Sequence, residues 1–174
     1  AINLTTTEKT EPKRFDLMYD INVRGTFMMS RACIPLLKKG NNPHILTLSP
    51  PVNLDLKWFA NHLAYTISKY DMTMIALGLS AELKPFHIAA NSLWPKTTIA
   101  TAAVNNLLGG EALMKMSRTP EIVADAAYEI LSQPSTQCTG NSFIDEEVLA
   151  AAGVTDLSRY SVVPGGPLYN DLFI

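Results

Sequence analysis

Three short apolar segments that favour β-structure alternate along this chain with much longer helical patterns. The predicted strands are 44–48, 88–94 and 142–144, and the predicted helices are 12–39, 59–83 and 119–130. Strands that alternate with helices of this length form parallel sheets with helices on both faces. The sequence therefore predicts an α/β fold, in which ligands bind beyond the carboxyl ends of the strands.

Length and composition narrow the function further. A chain of 174 residues is long enough for one domain with a substantial core. A net charge of −2 and the absence of a basic cluster argue against nucleic acid as a partner. The two cysteines and three histidines lie in no metal-ligand spacing, so no metal site is predicted. No apolar run reaches the roughly 18 residues that a membrane span needs.

Tyr65 and Lys69 stand four residues apart in the second predicted helix, on one face and one turn apart. Ionising a tyrosine at pH 7 costs about 4 kcal/mol. A cation about 4 Å from the phenolate oxygen, at an effective dielectric constant near 20, stabilises the phenolate by a similar free energy. The pair can therefore provide a phenol that exchanges protons at neutral pH. The spacing alone is a weak signal, and the alternative is a surface lysine one turn after a core tyrosine.

Four residues together resemble the catalytic tetrad of the short-chain dehydrogenases/reductases in order, element and approximate spacing. They are Asn22 in Asp20-Ile21-Asn22-Val23-Arg24-Gly25, Ser49 at the end of the first predicted strand, and Tyr65 and Lys69. The segments 44–51, 64–70 and 93–97 carry a narrower resemblance to one group within that family, which extends over nearly the whole chain.

The resemblance implies hydride transfer between NADP or NAD and a carbonyl or alcohol carbon of an apolar, lipid-like small molecule. Tyr65 would be the general acid or base, and Lys69 would lower its pKa and hold the nicotinamide ribose. Ser49 would donate a hydrogen bond to the substrate oxygen. Asn22 would hold a water that links Lys69 to solvent, in a locally opened helix. The rival hypothesis is a non-catalytic cofactor-binding or lipid-metabolism scaffold that retains the tetrad.

The same resemblance implies which residues contact the cofactor. They are Tyr65, Lys69, Pro95, Thr97 and Ile99. Lys96 departs from the family pattern, because a glycine commonly follows this proline. That departure puts the close approach of the backbone to the nicotinamide in question.

The family fold begins with a glycine-rich phosphate loop at a helix N-terminus. This chain contains no such run, and Gly109-Gly110 follows no predicted strand. We therefore expect residues 1–174 to form a single partial domain, the C-terminal half of a doubly wound Rossmann-type parallel sheet, without the N-terminal phosphate-binding half. Large apolar faces should then be exposed.

The helix that carries Tyr65 has apolar residues on more than one side. One face has Tyr65, Met72, Ala76 and Leu79, and another has Ile67, Met74, Leu77 and Ala81. Because helices of this kind pack against a partner subunit in the family, we expect a homodimer or homotetramer. The alternative is burial by the chain's own tail, which is rich in Gly and Pro from residue 156 and is predicted to run over the surface. The narrower resemblance implies a peroxisomal or mitochondrial location.

Overall fold

The computed structural model describes residues 1–174 and begins with one long helical segment. Helix α1 (Pro12–Tyr19) passes through a π-helical turn (Asp20–Arg24) into α2 (Gly25–Leu37). Proline at the first position of α1 suits the fixed φ of that residue. The π turn opens the helix locally at Asn22, as the family resemblance implies, and α2 continues past Pro35 before it ends.

The remaining elements alternate as the sequence predicts. They are β1 (His44–Leu48), α3 (Lys57–Ala60), α4 (Leu63–Glu82), β2 (Ala89–Trp94), α5 (Gly110–Lys115), α6 (Glu121–Ser132), β3 (Ser142–Ile144) and α7 (Asp145–Ala151). The three strands pair in chain order as a parallel sheet, β1-β2-β3. The predicted α/β fold class is therefore confirmed, whereas α5 and α7 were not predicted.

The chain divides into two compact units. The first comprises residues 1–92, 134–142 and 173. Its core joins α4 to β2, and helix α2 and strand β1 pack against it through half-buried aliphatic side chains. The residues of this core are Leu79, Leu83, Ile88 and Ala90, with Ile34, Leu37, Ile45 and Ile75 around them. Burying each large aliphatic side chain contributes about 1.5–3 kcal/mol.

The second unit comprises residues 93–133, 143–172 and 174. Helices α6 and α7 pack together there, and Ile122, Ile130 and Leu149 are fully buried. The tail does not simply run over the surface, because Tyr160 is 2% exposed and donates a hydrogen bond to Asp125 at 2.6 Å. The prediction of a surface tail is wrong at this position.

Large apolar side chains are exposed on α1, α2 and α4, as predicted. They include Leu17, Phe27, Met28, Met29, Leu36 and Met74. Met74 lies on the second apolar face of α4 and is 58% exposed, so the chain's own tail does not cover that side chain. No helix is both long and apolar enough to cross a membrane.

Candidate active site

Asn22 lies in the π turn and is 5% exposed. Its side-chain amide donates to Ser68 Oγ at 3.1 Å and to the Ala1 carbonyl at 2.9 Å, and its Oδ1 accepts from the Ala1 amine at 2.6 Å. The Thr26 hydroxyl donates to the Asn22 carbonyl at 2.6 Å and so helps to satisfy the altered helix backbone. The turn therefore brings Asn22 to the residue that precedes Lys69.

Tyr65 and Lys69 lie one turn apart near the start of α4, as predicted. Tyr65 is 6% exposed, and Lys69 is half-buried. Lys69 Nζ donates to the carbonyl of Leu48, the last residue of β1, at 2.7 Å. This bond fixes the ammonium at the carboxyl end of a strand, the position where parallel sheets bind ligands.

Ser49 directly follows β1 and is 0% exposed. Its hydroxyl lies 2.9 Å from Thr73 Oγ1, which also donates to the Pro50 carbonyl at 2.7 Å. Thr73 is one turn beyond Lys69 on α4. The structure thus brings Ser49 to the tyrosine-bearing helix, but the side chain that it pairs with is Thr73. Its predicted hydrogen bond to a substrate oxygen stays a prediction.

Aromatic rings surround Tyr65 within the first unit. The Phe173 ring stacks on Tyr65 with centroids 6.1 Å apart, and the His62 ring meets Tyr65 edge-on at 6.3 Å. Trp58 and Tyr70 also contact Phe173, at 5.6 and 5.2 Å. Phe173 is 1% exposed and has φ of 75°, a strained value for a bulky residue. The surroundings of the predicted catalytic phenol are therefore apolar and aromatic.

His62 precedes α4 and belongs to a short polar chain beside these rings. Its Nδ1 lies 2.9 Å from Thr66 Oγ1, and that hydroxyl donates its proton to the Trp58 carbonyl. Because threonine has one hydroxyl proton, Nδ1 must carry the proton in the His62–Thr66 bond. Burial lowers the pKa of His62, so the neutral imidazole is the favoured form.

This burial predicts a pH-dependent stability. Unfolded histidine gains a proton near pH 6.5, whereas folded His62 resists protonation, so the unfolded state binds more protons as pH falls. Stability should therefore decrease between about pH 7.5 and 5.5. Urea unfolding at both pH values checks this, and His62→Gln should make the decrease smaller. An unchanged decrease in that variant would assign it to other groups.

The second unit contains the predicted cofactor residues of the loop that follows β2. Pro95 and Ile99 are half-buried, and Thr97 is 4% exposed. Three backbone hydrogen bonds hold this loop, from Asp171 N to Lys96 O at 3.0 Å, from Thr98 N to Tyr169 O at 2.9 Å, and from Arg118 N to Thr98 O at 2.9 Å. Lys96 has no positive φ, so the backbone here does not require the family's glycine.

Sequence reasoning missed two groups of contacts, one in each unit. The packing of Phe173 on Tyr65 joins residues far apart in the chain, and no periodic pattern links them. The carboxylate of Asp145 accepts a hydrogen bond from the Lys96 N–H at 2.9 Å. The available signal for Asp145 was that it is the first of three acidic residues directly after a predicted strand, and that signal is weak.

Comparison with known proteins agrees with the fold. A family model described as enoyl-(acyl carrier protein) reductase matches residues 2–145. The chain belongs to the short-chain dehydrogenase/reductase family, as its tetrad-like residues predict. Within that family it is 56% identical, over all 174 residues, to hydroxysteroid dehydrogenase-like protein 2 of Xenopus tropicalis, and it covers 41% of that protein. The chain thus spans about two fifths of the length of the curated relatives that it matches.

Solved structures give the same result. The crystal structure of a short chain dehydrogenase from Mycobacterium thermoresistibile is 54% identical, with a TM-score of 0.92, and the match covers 100% of this chain and 61% of that one. The 3-ketoacyl-(acyl-carrier-protein) reductase from Brucella melitensis, complexed with NADH, is 25% identical with a TM-score of 0.66. That match covers 82% of this chain and 60% of the reductase.

Proposed function

We propose that this chain supplies the catalytic residues of an NAD(P)-dependent oxidoreductase, which transfers a hydride between nicotinamide and a hydroxyl or carbonyl carbon of an apolar, lipid-like substrate. The observation that carries the proposal is the 2.7 Å bond from Lys69 Nζ to the Leu48 carbonyl, one turn from Tyr65. This bond supports the proposal because parallel α/β sheets bind ligands at the carboxyl ends of their strands. The rings of His62 and Phe173 beside Tyr65 favour an apolar substrate.

In this mechanism Tyr65 exchanges a proton with the substrate oxygen, as an acid in reduction and as a base in oxidation. Lys69 places a positive charge one turn away, which favours the phenolate in a low-dielectric site. Lys69 would also hold ribose hydroxyls of the cofactor. Asn22, through its contact with Ser68, supports the helix turn that bears Lys69, and a water held there would connect the amine to solvent.

The loop after β2 has a polar atom that fits a nicotinamide cofactor. Thr97 Oγ1 is buried and has no hydrogen-bond partner, so it is available to a carboxamide group. Pro95 and Ile99 would supply apolar contacts beside it. The cofactor, NADP or NAD, supplies the hydride. The NADH complex of the Brucella melitensis reductase supports this cofactor class.

One observation favours the rival function, a cofactor-binding scaffold without catalysis. The Ser49 hydroxyl is fully buried and pairs with the Thr73 hydroxyl. With Ser49 engaged in this way, no residue is identified that donates a hydrogen bond to a substrate oxygen. The two functions differ in a direct assay. The full-length protein is mixed with NADPH or NADH and a panel of aliphatic, steroidal and fatty-acyl carbonyl compounds, and nicotinamide absorbance is followed. Turnover supports the enzyme, whereas tight cofactor binding without turnover across the panel supports the scaffold.

The role of Ser49 is tested by a pair of variants. If Ser49 donates to the substrate oxygen, Ser49→Ala should lower kcat about 10²-fold, the effect of losing one such donor. Thr73→Val breaks the same hydroxyl pair but keeps the serine, so it should lower stability with a much smaller effect on kcat. Equal kcat losses in the two variants would show that Ser49 acts by holding β1 on α4.

We also propose a homodimer or homotetramer with α4 in the interface, because Met74 and Ala81 expose one side of that helix. Met74→Glu should shift the sedimentation coefficient of the full-length protein towards the monomer. Lys84→Glu, an exposed charge change just beyond α4, is the control. An unchanged assembly in Met74→Glu would place the interface elsewhere. A peroxisomal or mitochondrial location is proposed on resemblance alone.

A further inference from the structure

We propose that Asp145 is a positioning residue for the cofactor loop: its carboxylate holds the Lys96 N–H so that the Thr97 hydroxyl stays free for the nicotinamide carboxamide. This inference rests on the proposed function and adds a residue to it. Asp145 lies directly after β3 and is 0% exposed. A buried carboxylate is costly, so its contacts need a physical reason.

One oxygen of the Asp145 carboxylate holds two backbone groups. Oδ1 accepts hydrogen bonds from the Lys96 N–H at 2.9 Å and from the Glu146 N–H at 2.7 Å. The first of these bonds joins the start of α7 to the residue immediately before Thr97. Such charge-assisted bonds are about twice as strong as neutral ones. Asp145 therefore holds the Pro95–Lys96 peptide, one residue before Thr97, and so restrains the start of the loop that carries the Thr97 side chain.

The other carboxylate oxygen and the neighbouring threonine are both unsatisfied. Asp145 Oδ2 and Thr97 Oγ1 are buried, and neither has a hydrogen-bond partner. A buried polar atom that is left unpaired destabilises the fold, and such atoms are rare in native proteins. Because Asp145 binds the backbone beside Thr97 and not its hydroxyl, that hydroxyl remains for a ligand. A primary carboxamide can donate to it and accept from it.

Hydrogen bonds from two backbone N–H groups, and no ion pair, hold the Asp145 carboxylate in place. Arg118 is nearby in the same unit, but its guanidinium pairs with Glu146 at 2.8 Å and donates to the Leu157 carbonyl at 2.8 Å. Burial raises the pKa of Asp145, and the two N–H donors oppose that rise. Asp145 thus has no ion-pair partner of its own, and its contact with the loop is through hydrogen bonds.

The inference is tested by comparing two ligands in the full-length protein. NADPH or NADH, whichever binds more tightly, includes the nicotinamide, whereas the matching ADP-ribose or 2′-phospho-ADP-ribose lacks it. Asp145→Ala should weaken dinucleotide binding about tenfold, equivalent to about 1.4 kcal/mol. The affinity of the same variant for ADP-ribose or 2′-phospho-ADP-ribose should change less than about twofold. Asp145→Asn keeps an oxygen acceptor for the Lys96 N–H and should restore most of the affinity. Titration calorimetry measures both dissociation constants.

Results that contradict the role of Asp145 can be distinguished from a result that contradicts the proposed function. Equal weakening for both ligands, or unchanged dinucleotide affinity in Asp145→Ala, would overturn the inference. If Asp145→Ala does not fold, Thr97→Val is the second test. It should weaken binding of the dinucleotide, but not of the ligand without nicotinamide, and it leaves the hydrogen bond between Asp145 and the Lys96 N–H intact. A Thr97→Val variant that binds both ligands normally would also overturn it. Failure of the wild-type protein to bind either dinucleotide would instead reject the proposed function, and the inference with it.

Discussion

Replacing Tyr65 with phenylalanine should lower the rate of hydride transfer by about 10⁴-fold, the upper end of the effect of general acid–base catalysis. The change removes one oxygen and keeps the ring, so the packing against His62 and Phe173 should persist. Dinucleotide affinity should change little if the phenol acts chiefly on the substrate oxygen. Single-turnover absorbance kinetics with the full-length protein measures the rate of the chemical step separately from cofactor binding.

The control for this variant is Tyr70→Phe, which removes the same atom from the same helix. The Tyr70 hydroxyl donates to the Asn53 carbonyl at 2.6 Å, so its loss should lower the unfolding temperature and leave the rate nearly unchanged. If both variants lost activity equally, the hydroxyls would act by holding α4 in place. A Tyr65→Phe enzyme at near wild-type rate would remove Tyr65 from the mechanism.

The parts of the fold that the sequence predicted are those with local causes. The strand at 44–48 and the helix around Tyr65 follow from short-range hydrophobic patterns. The π turn at Asn22 is the exception, because the opened helix was predicted there from the family resemblance and not from a local pattern. The Tyr65–Lys69 pair needs only helix geometry, which fixes residues four apart on one face.

The parts that could not be predicted depend on tertiary contacts. Gly and Pro in the tail indicate turns, but they contain no information that Tyr160 and Phe173 would be buried. The hydrogen bond between Asp145 and the Lys96 backbone joins two elements whose meeting no local pattern specifies. The pairing of Ser49 with Thr73 similarly depends on how β1 packs on α4. Sequence resemblance predicted the serine itself but not its partner.

Replacing Lys69 with methionine should lower the rate by about 10³-fold, because a cation about 4 Å from the phenol would supply about 4 kcal/mol at an effective dielectric constant near 20. The variant also removes the hydrogen bond from Nζ to the Leu48 carbonyl. Methionine preserves most of the side-chain volume, so packing should be disturbed little. We expect weaker dinucleotide binding as well, since Lys69 is proposed to hold the ribose, and stopped-flow absorbance with varied cofactor concentration separates the two effects.

Lys69→Arg is the matched control, because it keeps the positive charge and a donor for the Leu48 carbonyl. It should retain more activity than Lys69→Met at saturating cofactor, although its planar guanidinium cannot copy the geometry of an ammonium. If the two variants were equally slow, the shape of lysine would matter more than its charge. A Lys69→Met protein that reduced carbonyls at the wild-type rate with saturating cofactor would show that the amine serves only to bind the ribose, and the electrostatic account of Tyr65 would fail.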